Sequence, residues 1–141
     1  MGTIFIEPGP HSLEELLERL GTGLYLLDSM GGETSGENFT FGAQYGYEVK
    51  QGRPGKMVRD INISGNLFHT LKNIRAVGKD RVLSKVGGCG KGQLTPRSCN
   101  GGPHVAYQTL QDRRAAIPRE IMMVRIPCSG RITKALLFKP F

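Results

Sequence analysis

Asn38-Phe39-Thr40-Phe41-Gly42-Ala43-Gln44-Tyr45-Gly46-Tyr47-Glu48-Val49-Lys50 sets aromatic residues at 39, 41, 45 and 47 in alternation with small or polar ones. A period of two is the mark of a half-buried strand, because successive side chains leave the backbone on opposite faces. The aromatic stripe therefore reads as core rather than as a binding platform. Gln51-Gly52-Arg53-Pro54-Gly55 follows as a turn, and residues 56–63 return with Met57, Ile61 and Ile63. The two runs form a β-hairpin, and strands dominate the fold.

Upstream, residues 3–7 make a short β-like run closed by Pro8-Gly9-Pro10. Ser12-Leu13-Glu14-Glu15 is a capping box, in which Ser12 caps the first turn and Glu15 reaches back. Leu13, Leu16, Leu17 and Leu20 share one helical face, and Gly21 stands where a C-terminal glycine belongs. Residues 23–27 are an apolar strand, and the composition of residues 31–37 predicts a loop. Leu67, Phe68, Leu71, Ile74 and Val77 predict a second helix over residues 66–77, starting at Asn66 or Ser64 and ending at Gly78, with His69 solvated. A strand over 81–86, a loop over 96–102 and a β-like run over 103–107 follow. The fold class predicted is α+β, a single domain of mostly antiparallel strands with two short helices, plus an irregular C-terminal tail.

A chain of 141 residues with 20 glycines and 38% hydrophobic residues has room for one turn-rich globular domain. No apolar run approaches the roughly 18 residues of a membrane span. The start of the chain lacks the basic and apolar regions of a secretory signal, so a cytoplasmic location is expected. The net charge of +7 is unevenly placed: residues 1–110 carry 12 Lys/Arg and 10 Asp/Glu, whereas residues 111–141 carry 7 and 2. The body is nearly neutral and the basic character belongs to the tail, with no aromatic interleaving. Neither nucleic acid nor membrane is expected as a partner. Pro118, Pro127 and Pro140 break the tail into short runs, and Ile121-Met122-Met123-Val124 is its one stretch of strand character. It is expected to add at most an edge strand and to be dispensable for folding.

Cys89, Cys99 and Cys128 make an odd count without a Cys-x-x-Cys pair, which excludes a complete disulfide framework and fits free thiols. Cys89 stands apart, within Gly87-Gly88-Cys89-Gly90-Lys91-Gly92-Gln93. Glycines leave its sulfur open, and Lys91 favours the thiolate, the form that attacks or ligates metal. The segment by itself allows a metal ligand, a nucleophile or a glycine-rich turn.

With these elements in order, the chain resembles the C-terminal domain of the TldD/PmbA family, zinc metallopeptidases also called modulators of DNA gyrase. The resemblance covers residues 3–104. Its marks are Ile6-Glu7-Pro8-Gly9 with Ser12-Leu13-Glu14-Glu15-Leu16-Leu17, the aromatic alternation within residues 36–47, and Ile63-Ser64-Gly65-Asn66-Leu67 leading to Leu71-Lys72-Asn73-Ile74. Val77-Gly78-Lys79-Asp80, Cys89-Gly90-Lys91-Gly92-Gln93 and Gly101-Gly102-Pro103-His104 complete the set. The cysteine motif looks like that of the TldD branch, which implies that Cys89 is a zinc ligand; His104 is a further candidate ligand. The family's His-Glu-x-x-x-His helix has no counterpart here, since His11, His69 and His104 are scattered and none has a Glu beside it. A hydrolytic zinc takes about three protein ligands, an open position for water and a base.

The resemblance thus implies the C-terminal part of a zinc metallopeptidase, with no catalytic residue of its own and a metal site completed by another domain or chain. By the same resemblance, a metal bound there would polarise the scissile carbonyl and supply hydroxide at neutral pH. The implied partners are a peptide or unfolded protein substrate, laid along a strand edge, and a TldD/PmbA-type subunit or N-terminal domain. The alternative is a non-enzymatic binding or assembly module, or a gene fragment, that pairs with a full-length subunit. The division expected is a family domain over 1–110 and a basic tail over 111–141 outside the family pattern, read either as a frame-shifted end or as a lineage-specific extension.

Overall fold

A computed structural model describes residues 5–83 and 101–107, and the backbone of 111–112 and 122–124. The hairpin at its centre is longer than the sequence predicts. Strand β1 (Gly23–Ser35) pairs antiparallel with β2 (Asn38–Lys50), and β2 with β3 (Arg53–Asn66). The turn between β2 and β3 is shorter than expected: Lys50 pairs with Arg53, which leaves Gln51 and Gly52. Both have positive φ, 52° and 72°, as a type I′ turn requires. Residues 31–37 are not a loop. Because β2 runs unbroken, β1 finds a partner as far as Ser35, and a bulge between Ser29 and Gly31 absorbs the irregularity at a glycine with φ 99°.

Helix α1 (Leu13–Leu20) forms as its cap predicts. Ser12 accepts from the Glu15 N–H at 3.2 Å, and the Glu15 carboxylate accepts from the Ser12 N–H at 2.7 Å. Gly21, at φ 63°, ends it and accepts a hydrogen bond from the Gly52 N–H at 2.8 Å, so the hairpin turn docks on the helix end. The second helix is half the predicted length. Asn66 caps α2 (Leu67–Lys72), but Asn73 stops it by donating its side-chain amide to the His69 carbonyl at 2.7 Å. The β-branched Ile74 and Val77 then find strand partners: β4 (Ile74–Val77) pairs antiparallel with β7 (Val105–Tyr107). Short strands β5 (Val82–Leu83) and β6 (Gly101–Gly102) form a separate two-stranded ladder.

Among the described residues the main sheet has seven strands in the order β4-β7-β9-β1-β2-β3-β8, where β8 is Gln111–Asp112 and β9 is Met122–Val124. Among the described residues, its one parallel strand pair is β1–β9. The strand expected at an edge around residues 121–124 is therefore interior, flanked by β7 and β1, because both strands offer it a complete ladder. The sheet also curls. From β7 to β8 is five strand intervals, about 24 Å at ~4.8 Å each. Four residue steps from Tyr107 to Gln111 span at most about 15 Å. The two ends must approach, and the core agrees: Phe41 and Ile63 pack in one cluster with Val105 and Tyr107 across the curl.

Alternation sorts side chains between the two faces. In β1, Leu24 and Leu26 join the cluster inside the curl, whereas Tyr25 joins Leu16, Leu17 and Leu20 of α1 on the outside. In β7, Val105 and Tyr107 face in and Ala106 faces α1. Phe39 and Phe41 are buried core residues, as the stripe predicts, and Tyr45 and Tyr47 are half-buried. Among the described residues, no helix is long and apolar enough to cross a membrane.

Candidate functional site

Three motifs that lie far apart in sequence meet at one place. His104 opens β7 and is 3% exposed. Its Nε2 lies 3.0 Å from the Tyr25 hydroxyl, and its Nδ1 lies 2.5 Å from Asp80 Oδ2. The His104 and Tyr25 rings are 5.7 Å apart, and Tyr25 in turn stands 6.5 Å from Tyr47.

The backbone around His104 is drawn equally tight. Gly78 N–H donates to the His104 carbonyl at 2.7 Å, Gly9 N–H to the Gly78 carbonyl at 2.8 Å, and Lys79 N–H to the His11 carbonyl at 2.7 Å. Both glycines sit where the chain is crowded, Gly9 the more severely. A Cβ on Gly78 would stand 2.7 Å from Asp80 Oδ1 and 3.3 Å from the His104 Cβ, and a Cβ on Gly9 would run into the Val77 carbonyl. Gly78 is thus a close-approach residue at the end of β4, not the helix terminus that its position suggested.

Cys89, Cys99 and Cys128 lie outside the described residues. What the structure does fix is the frame from which Cys89 departs. Leu83 pairs with Gly101 and Val82 with Gly102, so the ends of the 84–100 excursion are held side by side. A Cβ on Gly101, which has φ 152°, would meet the Val82 carbonyl, so a glycine is needed there for the two strands to approach. Asp80 and His104 brace the same two chain segments two residues further in. The cluster therefore clamps the base of the cysteine-bearing excursion.

The three histidines do not converge. The His11 Nδ1 lies 3.7 Å from the Glu15 carboxylate on α1, and the His69 Nδ1 lies 3.4 Å from the Asn73 amide on α2. Among the described residues, no group of three His, Cys, Asp or Glu side chains could hold a metal ion. These residues do not fit a zinc site by themselves, and no hydrolytic step is assigned to them. Sequence reasoning named His104 but missed Tyr25 and Asp80. Asp80 stands in a quoted motif, whereas Tyr25 is marked only as the one hydroxyl in the apolar run 23–27.

With this geometry in place, comparison with known proteins settles the family. The family description that matches is the PmbA/TldA metallopeptidase C-terminal domain, over residues 1–111. The chain belongs to the PmbA/TldD metallopeptidase family. Similar proteins include a metalloprotease of Archaeoglobus fulgidus, 43% identical over 113 residues, covering 78% of this chain and 26% of that protein. A zinc metalloprotease TldD homolog of Saccharolobus solfataricus is 39% identical over 112 residues, covering 79% and 25%. A metalloprotease TldD homolog of Buchnera aphidicola is 31% identical over 115 residues, covering 78% and 23%. The chain spans about a quarter of the length of the curated relatives it matches.

Proposed function

We propose that this chain is the C-terminal, metal-site-completing part of a TldD/PmbA-type zinc metallopeptidase, acting on peptides or unfolded protein segments. Cys89 is its zinc ligand, and the remaining ligands and the base come from a domain or subunit that carries the His-Glu-x-x-x-His helix. The observation that carries this reading is the clamp at the base of the 84–100 excursion. Asp80, Tyr25 and His104 tie together β1, β7 and the segment after β4, while the β5–β6 ladder holds the two ends of the excursion in register. A ligand that must meet a metal held by another domain has to be presented from a fixed base, since small misplacements disrupt coordination geometry.

In this reading His104 is a positioning residue, because both ring nitrogens already face Tyr25 and Asp80. The carboxylate beside Nδ1 and the phenol at Nε2 hold the ring orientation and so fix the start of β7. The relatives named metalloproteases support a metal in the assembled enzyme, and the relative named a zinc metalloprotease supports zinc. Ligand arithmetic then makes the chain inactive alone, because one cysteine without a base cannot activate water. Peptide hydrolysis by the purified chain, assayed with and without chelator, tests this. No chelator-sensitive cleavage is expected, and robust cleavage would overturn the reading.

A further inference from the structure

We infer that the gap between β1 and β7 is a strand-accepting slot, which this chain fills with its own tail strand β9. Among the described residues, β1 and β7 share no ladder. Each bonds β9 instead: Leu24, Tyr25 and Leu26 pair with Met122, Met123 and Val124, and Val105, Ala106 and Tyr107 pair with Val124, Met123 and Met122. Yet β9 lies beyond residue 111, where the family match ends. Without β9, the described strands on either side of it form two part-sheets, β4-β7 and β1-β2-β3, that share no ladder.

The slot has definite requirements. With β9 in place all six rim residues are buried, at 8% exposure or less, and β9 supplies the ladder partners on that side of both rims. Rims separated by two strand spacings, about 9.6 Å, admit one extended chain. They exclude a helix of about 10–12 Å diameter. The ligand class is therefore an extended segment parallel to β1 and antiparallel to β7. The occupant seen here adds a sequence pattern: four apolar residues, 121–124, with Glu120 just before the run and Arg125 just after it, in a basic, proline-broken tail. The inference rests on the ladders and does not depend on the peptidase reading.

The test uses the full chain carrying Met123→Pro, which removes a ladder N–H from the middle of β9 and opens the slot. A labelled peptide with the sequence of residues 119–127 is the probe. It should bind the variant at least about tenfold more tightly than the unaltered chain, whose tethered strand competes at an effective concentration of order mM. The same peptide N-methylated at the Met123 position should not bind. Equal binding to both chains, or to neither, overturns the inference. If Met123→Pro unfolds the chain, the peptide should restore its folded circular dichroism spectrum, and failure to do so also counts against the slot. A second variant stands independently: Ala106→Cys with Met123→Cys, which are register partners, should form a disulfide detectable by peptide mapping. A folded double variant that does not crosslink refutes the placement of β9.

Discussion

Replacing His104 by alanine tests whether the clamp organises this end of the domain. The change deletes a side chain that is nearly fully buried and leaves the Tyr25 hydroxyl without its partner at 3.0 Å. Loss of a buried hydrogen bond costs about 0.5–1.5 kcal/mol. The Asp80 contact adds little, because that carboxylate is 38% exposed and solvent screens it. With the lost ring packing against Tyr25, the total should be about 2–4 kcal/mol of unfolding free energy. Tyr25→Phe removes the hydroxyl alone and should cost about 1–2 kcal/mol. The assay is chemical denaturation of the two single variants and the double variant. Residues joined by one hydrogen bond couple by about 0.5–3 kcal/mol, so the double variant should lose less than the sum of the singles. A His104→Ala loss below about 1 kcal/mol, or strict additivity, would refute the clamp.

Gly9→Ala should destabilise by about 1–3 kcal/mol as an overpacking change, because its Cβ would collide with the Val77 carbonyl and stand 2.9 Å from the Val77 Cβ; a neutral thermal shift would show that the N-terminal segment does not dock on β4. Truncation after Leu110 should cost well beyond the about 1–2 kcal/mol of an ordinary substitution, since it removes an interior strand; a small change in thermal unfolding would show that β9 contributes little. Burial pushes the Tyr107 hydroxyl well above its ordinary range. Its folded pKa exceeds the unfolded value of about 10, so its stabilising contribution is intact below that pH and is lost as pH rises from there toward the folded value. Unfolding free energy should fall by about 1.4 kcal/mol per pH unit from this group above pH ~10, and Tyr107→Phe should remove that part of the slope; an unchanged slope would contradict the burial argument.

Much of the fold was legible because it is local. The capping box at Ser12 and Glu15, the aromatic period of β2 and the cap at Asn66 are decided by neighbours within a few residues. What escaped the sequence was decided at long range. Residues 74–77 fit a helical period as well as a strand, and the partner that chose between them, β7, lies about 30 residues on. Gly31 and Gly32 look like a loop until β2 is known to run past them. The interior place of β9 depends on a gap between β1 and β7 that no sequence window contains. The site followed the same rule: Cys89 and His104 stand out by local chemistry, whereas Tyr25 and Asp80 acquire meaning only from what they face.

The central claim is that Cys89 completes a zinc site carried elsewhere. Its most direct test is the zinc content of a complex between this chain and the Archaeoglobus fulgidus metalloprotease lacking the quarter of its length that matches this chain. The account predicts stoichiometric, chelator-sensitive zinc in the complex, retained with Cys99→Ser and Cys128→Ser and lost with Cys89→Ser. Full zinc in the Cys89→Ser complex, or equal losses from all three substitutions, would contradict it.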